Sequence, residues 1–260
     1  VCVYRPEREH GCWKIDSAAS SKHLDRYTPL PLKPLTHGES RQMVESLLDI
    51  RDLPPATRAA ILENTEGNPF FVEEVVRLLI ERGVIYREDE RWKARETIEE
   101  LAVPDSVKSV ILSRIDCLQK EVRSVLQCAA VIGRVFQRRL LEFLSSQRET
   151  LESHLSQLEA YELVYKERTV PELEYAFKHA LTQETAYEAI LTRHRRAFHQ
   201  HVGEAIEALY QEQIEEYYEL LAFHYGRSDN REKAIDYLVK AGEKAAARYA
   251  NQEALSCYDN

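Results

Sequence analysis

The sequence predicts a mainly α-helical protein with two or three small domains. Over most of the chain, apolar residues recur at spacings of three and four, which is the period of an amphipathic helix. Short apolar strand patterns occur at 1–4, 84–92 and 163–177. With 260 residues, of which 44% are hydrophobic and 30% are charged, the chain is long enough to form folded cores.

The N-terminal part is predicted to hold one strand and a linker. Val1 to Tyr4 form an apolar strand pattern that needs partner strands, and no further cluster of its type follows. We therefore expect the chain to be a fragment of a longer protein. Residues 5–36, with a Ser/Ala run at 17–21 and prolines at 29, 31 and 34, are predicted to be irregular because proline interrupts helices.

The next segment is predicted to contain three helices and a small hairpin. One helix lies around 39–48, another runs from about 55 to 64, and the third begins at Pro69. Asn68 is a favourable N-cap residue, and proline suits the first helical position. Gly83 ends this third helix, and the hairpin follows at 84–92.

A winged-helix pattern follows from Pro104. Helices are predicted at about 107–118, 122–132, 137–146 and 149–161, and apolar runs at 163–165 and 173–177 form a terminal hairpin. From Thr192 onward the pattern is helical. Ala234, Leu238 and Ala241 have the spacing of the second helix in a tetratricopeptide-like (TPR-like) hairpin.

Charge and composition exclude several classes of protein. A net charge of -9 argues against general binding to nucleic acid or to an anionic membrane. No apolar run is long enough to cross a bilayer and no signal-peptide pattern is present, so we predict a cytoplasmic protein. The five cysteines are scattered and form no CxxC pair, so free thiols are expected.

The motifs of several enzyme classes do not occur in these 260 residues. The phosphate-binding loop GxxxxGK[ST], an apolar strand ending in a magnesium-binding Asp, GxGxxG, HExxH and GxSxG are all missing. We therefore expect no catalytic residue here and no ATP hydrolysis by this fragment alone. His194 and His199 are five residues apart and share a helix face poorly, so no metal site is predicted.

Six strings in a fixed order carry a resemblance to a known family. They are VYRPE, the Leu-Pro-Leu-Lys-Pro-Leu run from Leu30, TEGNPFFVEEVVRLL, VPDSVKSVILSRIDCL, VLQCAAVIGRVF and YAFKHALTQETAYEAIL. Together they resemble the C-terminal part of STAND-class signalling ATPases, namely the ATPase modules found beside class III adenylate cyclase or kinase domains in bacteria. The resemblance spans nearly the whole chain.

The resemblance implies a nucleotide-dependent switch. Its parts would be the end of a P-loop core with a linker at 1–33, a helical lid with a small hairpin at 34–101, a winged-helix domain at 102–191 and the start of TPR-like repeats at 192–260. ATP or ADP would be the cofactor, with Mg²⁺ supplied through the missing core, and we expect neither to be bound to this fragment. The full-length parent could be an ATPase with an attached cyclase or kinase domain, and the repeats would bind protein partners.

The resemblance also implies nucleotide-binding residues. Arg5 matches a phosphate-sensing Arg, and Pro69 matches the Gly-x-Pro proline that packs on adenine. His179 is similar to the histidine of a Met-His-Asp motif that contacts the β-phosphate of ADP, although Phe177 and Ala180 replace the flanking Met and Asp. From the residues alone, Arg5 also fits a surface turn, Pro69 a capped helix start and His179 a core or capping position.

Other readings of the same residues remain open. Arg114 could face the nucleotide, but a solvated helix face also fits it. The basic run 193–196 could bind an acidic partner or a phosphate, or could be solvent-exposed.

Two alternative functions are a nucleotide-independent TPR-type scaffold and a winged-helix DNA-binding regulator. The helix in the recognition position is rich in Glu, at 149, 152, 159 and 162, which argues against the DNA-binding function. We therefore expect protein partners, and neither nucleic acid nor a membrane.

Overall fold

The computed structural model describes most of the chain. The described residues are 12–22, 26–48, 54, 57, 59, 61, 62, 65–88, 91–95, 104–145, 148–170, 172–248, 250, 255 and 257. The protein is mainly helical with a few short strands, as the sequence predicts. The strand predicted at 1–4 and most of the helix predicted at 55–64 lie outside the described residues.

Among the described residues before 95, the structure bounds three helices and a hairpin, and residues 57, 59, 61 and 62 are also helical. Helix α1 is Cys12–Lys22, α2 is His37–Leu48 and α3 is Pro69–Glu81. Strands β1 (Ile85–Glu88) and β2 (Arg91–Ala94) pair antiparallel, so the hairpin predicted in this region is present.

Helix α1 shows that the prediction of an irregular segment over 5–36 is wrong in part. Of the prolines that favoured an irregular chain, Pro6 lies before this helix and the others lie after residue 28, and 12–22 contains neither Pro nor Gly. Ala18 and Ala19 are strong helix formers. The hydroxyl of Ser21 donates to the carbonyl oxygen of Ser17 at 2.6 Å, one turn back, so the Ser-rich run is compatible with the helix.

The central segment combines helices with a three-stranded sheet. In chain order its elements are α4 (Val107–Cys117), α5 (Lys120–Ile132), β3 (Val135–Gln137), α6 (Arg138–Leu144), α7 (Leu151–Ala160), β4 (Val164–Arg168) and β5 (Glu174–Phe177). The sheet is antiparallel in the order β3-β5-β4. Strand β3 is not predicted from the sequence because three residues are too few to show an alternating pattern.

The C-terminal segment is helical. It contains α8 (Ala180–Glu188), α9 (Thr192–Leu209), a 3₁₀ segment at Gln211–Tyr217, α10 (Tyr218–Tyr225) and α11 (Arg231–Ala247). The helices predicted from Thr192 onward are therefore present up to Ala247.

Two hydrophobic cores hold these elements together. The smaller one is built from α2, α3 and β1, and Val110 of α4 and Ile61 join it. Its buried side chains are Val44, Leu48, Ile61, Phe71, Val72, Val75, Val76, Leu78, Leu79, Ile85 and Val110. The larger one runs from Ile111 to Tyr237 and includes side chains from the sheet and from the C-terminal helices. Helix α4 thus contributes to both cores.

Candidate functional site

Helix α3 begins at a turn whose sequence leaves little freedom. The side-chain oxygen of Asn68 accepts from the backbone N–H groups of Phe70 and Phe71, at 3.0 and 3.3 Å, so Asn68 is the N-cap that the sequence predicts. Gly67 has φ +71, and a Cβ there would lie 2.1 Å from the carbonyl oxygen of Leu35. Glycine is therefore required before Asn68, and Pro69 is held at the first helical position, exposed to solvent.

His179 lies beside the start of α3. Its ring and the ring of Phe70, the neighbour of Pro69, have centroids 4.1 Å apart. His179 is also the N-cap residue of α8, but its side chain does not cap the helix. Its Nε2 is buried and has no hydrogen-bond partner among the described residues. Burial lowers the pKa of His179, while the carboxylates of Glu74 and Glu73 act in the opposite direction.

Arg114 of α4 lies in a buried ion cluster. The guanidinium donates from Nη1 to Glu74 at 2.6 Å and from Nε and Nη2 to Glu81 at 2.9 and 2.7 Å. Nη2 also donates to the carbonyl oxygen of Tyr161 at 2.6 Å. Side chains of Arg114 and Glu74 are 1% and 2% exposed. Because Glu74 and Glu81 belong to α3, this cluster fastens α3 to α4 and to the turn after α7.

Electrostatics in the buried cluster favour a charged Arg114. Burial acts to lower the pKa of this guanidinium, but its contacts with Glu81 and Glu74 outweigh burial and raise the pKa. Burial raises the pKa of Glu81, against the opposing effect of Arg114, and its Oε2 has no partner within the described ranges. A buried carboxylate oxygen without a donor is costly, so Glu81 depends on Arg114 for its place in the core.

A second ion cluster lies at the surface of the same junction. Arg77 of α3 and Lys178, the residue before His179, each contact both Glu73 and Glu162. The four N–O distances are between 2.5 and 2.8 Å. This ion quartet connects the first turns of α3 with the turn before β4 and with the end of β5.

The ion quartet holds two unusual features. Burial acts to raise the pKa of Glu73, but Lys178 and Arg77 lower it to about 2. Glu162 has φ +52, a left-handed conformation that is uncommon for Glu. Its contacts with Arg77 and Lys178 stabilise this strained turn.

The structure brings three of the four predicted nucleotide-binding residues to one junction. Pro69 precedes Phe70, which contacts His179, and Glu74 of the same helix pairs with Arg114. Arg5 lies outside the described residues. The solvated helix face considered for Arg114 is wrong, because the side chain is 1% exposed. A nucleotide could reach this guanidinium only after its bonds to Glu74 and Glu81 break.

Sequence reasoning missed most of the charged residues at this junction. The sequence did contain a signal for a buried Arg114. This residue lies four positions after Val110 and three after Ile111, which places it on the apolar face of α4. Glu73 and Arg77 have the i,i+4 spacing of a helical ion pair. Glu81, Glu162 and Lys178 carry no comparable local signal, since their partners are distant in the sequence.

These observations define a mainly helical protein in which a junction with two ion clusters joins a smaller core to a larger one. Residues 36–93, which contain α2, α3 and the β1–β2 hairpin up to residue 93, match a family described as a domain of unknown function (DUF8739). Over 247 residues the chain is 27% identical to an uncharacterized protein of Rhizobium meliloti (strain 1021). This similarity covers 90% of the chain and 23% of the relative, so the chain spans about a quarter of that protein's length.

Two further findings concern membranes and metals. None of the described helices combines the length and the apolar character that a membrane span requires. Among the described residues, no group of three or more His, Cys, Asp or Glu side chains could hold a metal ion. Cys117, Cys128 and Cys257 are free thiols, and burial raises the pKa of the Cys128 thiol to about 12.

Proposed function

We propose that this chain is the lid, winged-helix and first TPR-like part of a nucleotide-dependent signalling switch of the STAND class. In this proposal ATP or ADP bound to the full-length protein changes the contact between the lid and the winged helix. The observation that carries the proposal is the contact of Phe70 with His179, because it joins the two segments that the resemblance assigns to the adenine and to the phosphates.

The element order supports the proposed domains. Two helices, a strand, two helices and two strands, with a three-stranded antiparallel sheet, are compatible with a winged helix over 102–191. The DUF8739 match at 36–93 falls inside the lid proposed at 34–101. Of the three residues whose spacing predicts a TPR-like hairpin, Ala234 and Ala241 are buried and Leu238 is partly buried. Tyr237 of α11 is buried as well, and the α10–α11 pair supports the hairpin.

The residues at the junction fit a nucleotide in part. Pro69 is exposed and rigid, as a surface for an adenine ring would be. The Nε2 of His179 has hydrogen-bonding capacity that no described residue uses, and it lies at the N-terminus of α8, where backbone N–H groups favour anions. This atom is buried in the form described here, so in our proposal a phosphate contacts it in the other form of the switch. Arg114 does not fit, because Glu74 and Glu81 already neutralise it. We therefore assign Arg114 to the structure of the lid junction.

The ion clusters supply what a switch needs. A ligand moves a conformational equilibrium only through contacts that differ between the two forms. Two pairs of the ion quartet, Arg77–Glu162 and Lys178–Glu73, join α3 to residues beyond the lid. The other two, Arg77–Glu73 and Lys178–Glu162, hold these side chains in position. In the proposed mechanism these contacts stabilise the form described here, and a nucleotide phosphate that binds at His179, next to Lys178, changes their balance.

Nucleotide titration of the full-length protein tests this function. We expect ADP to bind, and His179→Ala to weaken ADP binding about 10- to 100-fold, the value of a hydrogen bond to a charged group. His194→Ala, at an exposed histidine of α9, is the matched control and should leave the affinity unchanged. Unchanged affinity and unchanged conformation in His179→Ala, or no nucleotide binding by the wild-type protein, would remove the proposal.

A nucleotide-independent scaffold is the second candidate. Ile235 and Val239 lie one turn apart on α11 and are 63% and 41% exposed, so the helix presents apolar side chains that a protein partner could cover. Capture of the same partners with and without ATP and ADP separates the two functions: a scaffold binds them equally, whereas a switch does not.

A further inference from the structure

Two buried histidines face each other between α9 and α10. His199 and His224 are 1% and 0% exposed, and their Nδ1 atoms are 2.9 Å apart. At this distance one Nδ1 donates a proton and the other accepts it, so the contact requires that at least one imidazole is neutral. We refer to these residues as the histidine pair.

The surroundings of the histidine pair do not favour positive charge. The hydroxyl of Tyr187 on α8 lies 3.0 Å from the Nε2 of His199, and the Nε2 of His224 is buried without a partner in the described part of the chain. The charged groups that act on the pair are the guanidinium groups of Arg195, on α9, and Arg227, after α10. No carboxylate of a described residue is among the groups that act on it.

Protonation of both imidazoles therefore conflicts with the closed arrangement. When both imidazoles are protonated, two N–H donors point at each other, and two cations are buried beside two arginines. A single added proton keeps the Nδ1 contact, and it is opposed by burial beside Arg195 and Arg227. Burial, together with Arg227, lowers the pKa of His199 to about 4, and burial with the neighbouring His199 lowers that of His224 to about 3.

We propose that the histidine pair is an acid-sensitive latch that holds α10 against α9. In the neutral state the Nδ1 contact closes the latch and α10 packs on α9. Protonation of both imidazoles removes this contact and opens the latch, and the hairpin of α10 and α11 separates from α9 while α3 and the sheet of the central segment stay folded. The latch shares no residue with the junction of Phe70 and His179, and in this proposal it regulates the C-terminal helices.

The direction of the pH effect follows from linkage. Both histidines have a lower pKa in the closed form than the ordinary value of 6.5, so the latch is at full strength above about pH 6.5. It weakens as the pH falls from 6.5 towards 4. Between pH 7.5 and 5.5 the ratio of open to closed protein should rise about 100-fold if both histidines take up a proton on opening, and about 10-fold if one does.

Hydrogen exchange of the full chain tests the latch. We would measure exchange by mass spectrometry at pH 7.5, 6.5 and 5.5, after correction for the intrinsic pH dependence of exchange, and compare peptides of 192–225 with peptides of α3. Opening of 192–225 should increase about 100-fold over this range, and α3 should change much less. A flat corrected profile, or an equal increase in α3, would overturn the proposal.

Variants identify the groups that titrate. His224→Phe keeps an aromatic ring of similar volume and removes one proton site, so the increase in opening should fall to about 10-fold or less. His201→Phe makes the same change at an exposed position of α9 and should keep the wild-type increase. A wild-type pH response in His224→Phe would overturn the latch. If that variant does not fold, the wild-type profile decides alone.

Discussion

The guanidinium of Arg114 donates to Glu74 across 2.6 Å at a place where both side chains are almost fully buried. The two residues are 40 positions apart: Glu74 lies on α3, which helps to build the smaller core, and Arg114 lies on α4, which contributes to both cores. Glu81 occupies the other edge of the same guanidinium. The junction between the cores is therefore held by charges that solvent does not screen.

Removal of Arg114 should destabilise the protein strongly. In Arg114→Met, Glu74 and Glu81 would remain buried without a counter-ion, and we expect a loss of about 3 to 5 kcal/mol in the free energy of unfolding. Urea denaturation followed by circular dichroism measures it. Lys108→Met is the control. Lys108 lies on the same helix as Arg114 and forms an exposed ion pair with Glu188, so its loss should cost no more than about 1 kcal/mol. Equal losses would contradict the role of burial.

The close approach of α9 and α10 should make Gly203 sensitive to a single methyl group. A Cβ at Gly203 would lie 2.7 to 3.0 Å from three ring atoms of Tyr225, which is itself buried and cannot move freely. Gly203→Ala is expected to destabilise the protein by about 1 to 3 kcal/mol. Thermal unfolding measures this loss. Gly38→Ala on α2 is the control, because the new Cβ would meet nothing within 4 Å, and it should be neutral or slightly stabilising. A neutral Gly203→Ala would show that the helices can separate at little cost.

The N-cap of α3 should contribute measurable stability. Asn68→Ala removes the acceptor for two backbone N–H groups, so a loss of about 1 kcal/mol is expected. Gln119→Ala is a suitable comparison, since Gln119 is the N-cap residue of α5 but its side chain makes no capping bond. Chemical denaturation of both variants checks this difference, and a loss at position 119 as large as that at 68 would argue against side-chain capping.

The ion quartet should make stability depend on acid. The pKa of Glu73 is about 2, below the ordinary value, so its contribution is complete above about pH 4.5 and is lost as the pH falls towards 2. Glu73→Gln should lower stability by about 1 to 2 kcal/mol at pH 7, because solvent screens part of the interaction. The difference from wild type should disappear near pH 2.

Unfolding titrations between pH 7 and 2 follow this difference. Glu45→Gln, which removes an exposed i,i+4 pair with Arg41, serves as the control and should change stability by less than about 0.5 kcal/mol at pH 7. A Glu73→Gln deficit that persists unchanged at pH 2 would mean that its cause is not the carboxylate charge.

Local signals explain which parts of this fold the sequence predicted. The start of α3 was predictable because Asn68 and Pro69 act within one helical turn. Helix α1 was missed because the prolines that follow it dominated the interpretation of the whole segment. Strand β3 was missed because it has only three residues. A single buried side chain, Phe136, is too little to show an alternating pattern.

The candidate site was harder to predict than the helices. Pro69 and His179 were found through resemblance, and their shared neighbour Phe70 looked like an ordinary apolar residue. The partners of Arg114 lie 40 and 33 positions away, so no local pattern could name them. The histidine pair is separated by 25 positions, although His199 lies three residues before Val202 and seven before Ile206, on the buried face of α9.

The larger core has a consequence for any shortened form of the protein. It passes without interruption from the central sheet into α9, α10 and α11, so no hydrophobic boundary coincides with position 191. A truncation or a proteolytic cut there would expose the apolar neighbours of Val202 and Ile206 to water. The remaining part would be poorly folded and prone to aggregate. The sheet and α9 should therefore survive together or be degraded together in the cell.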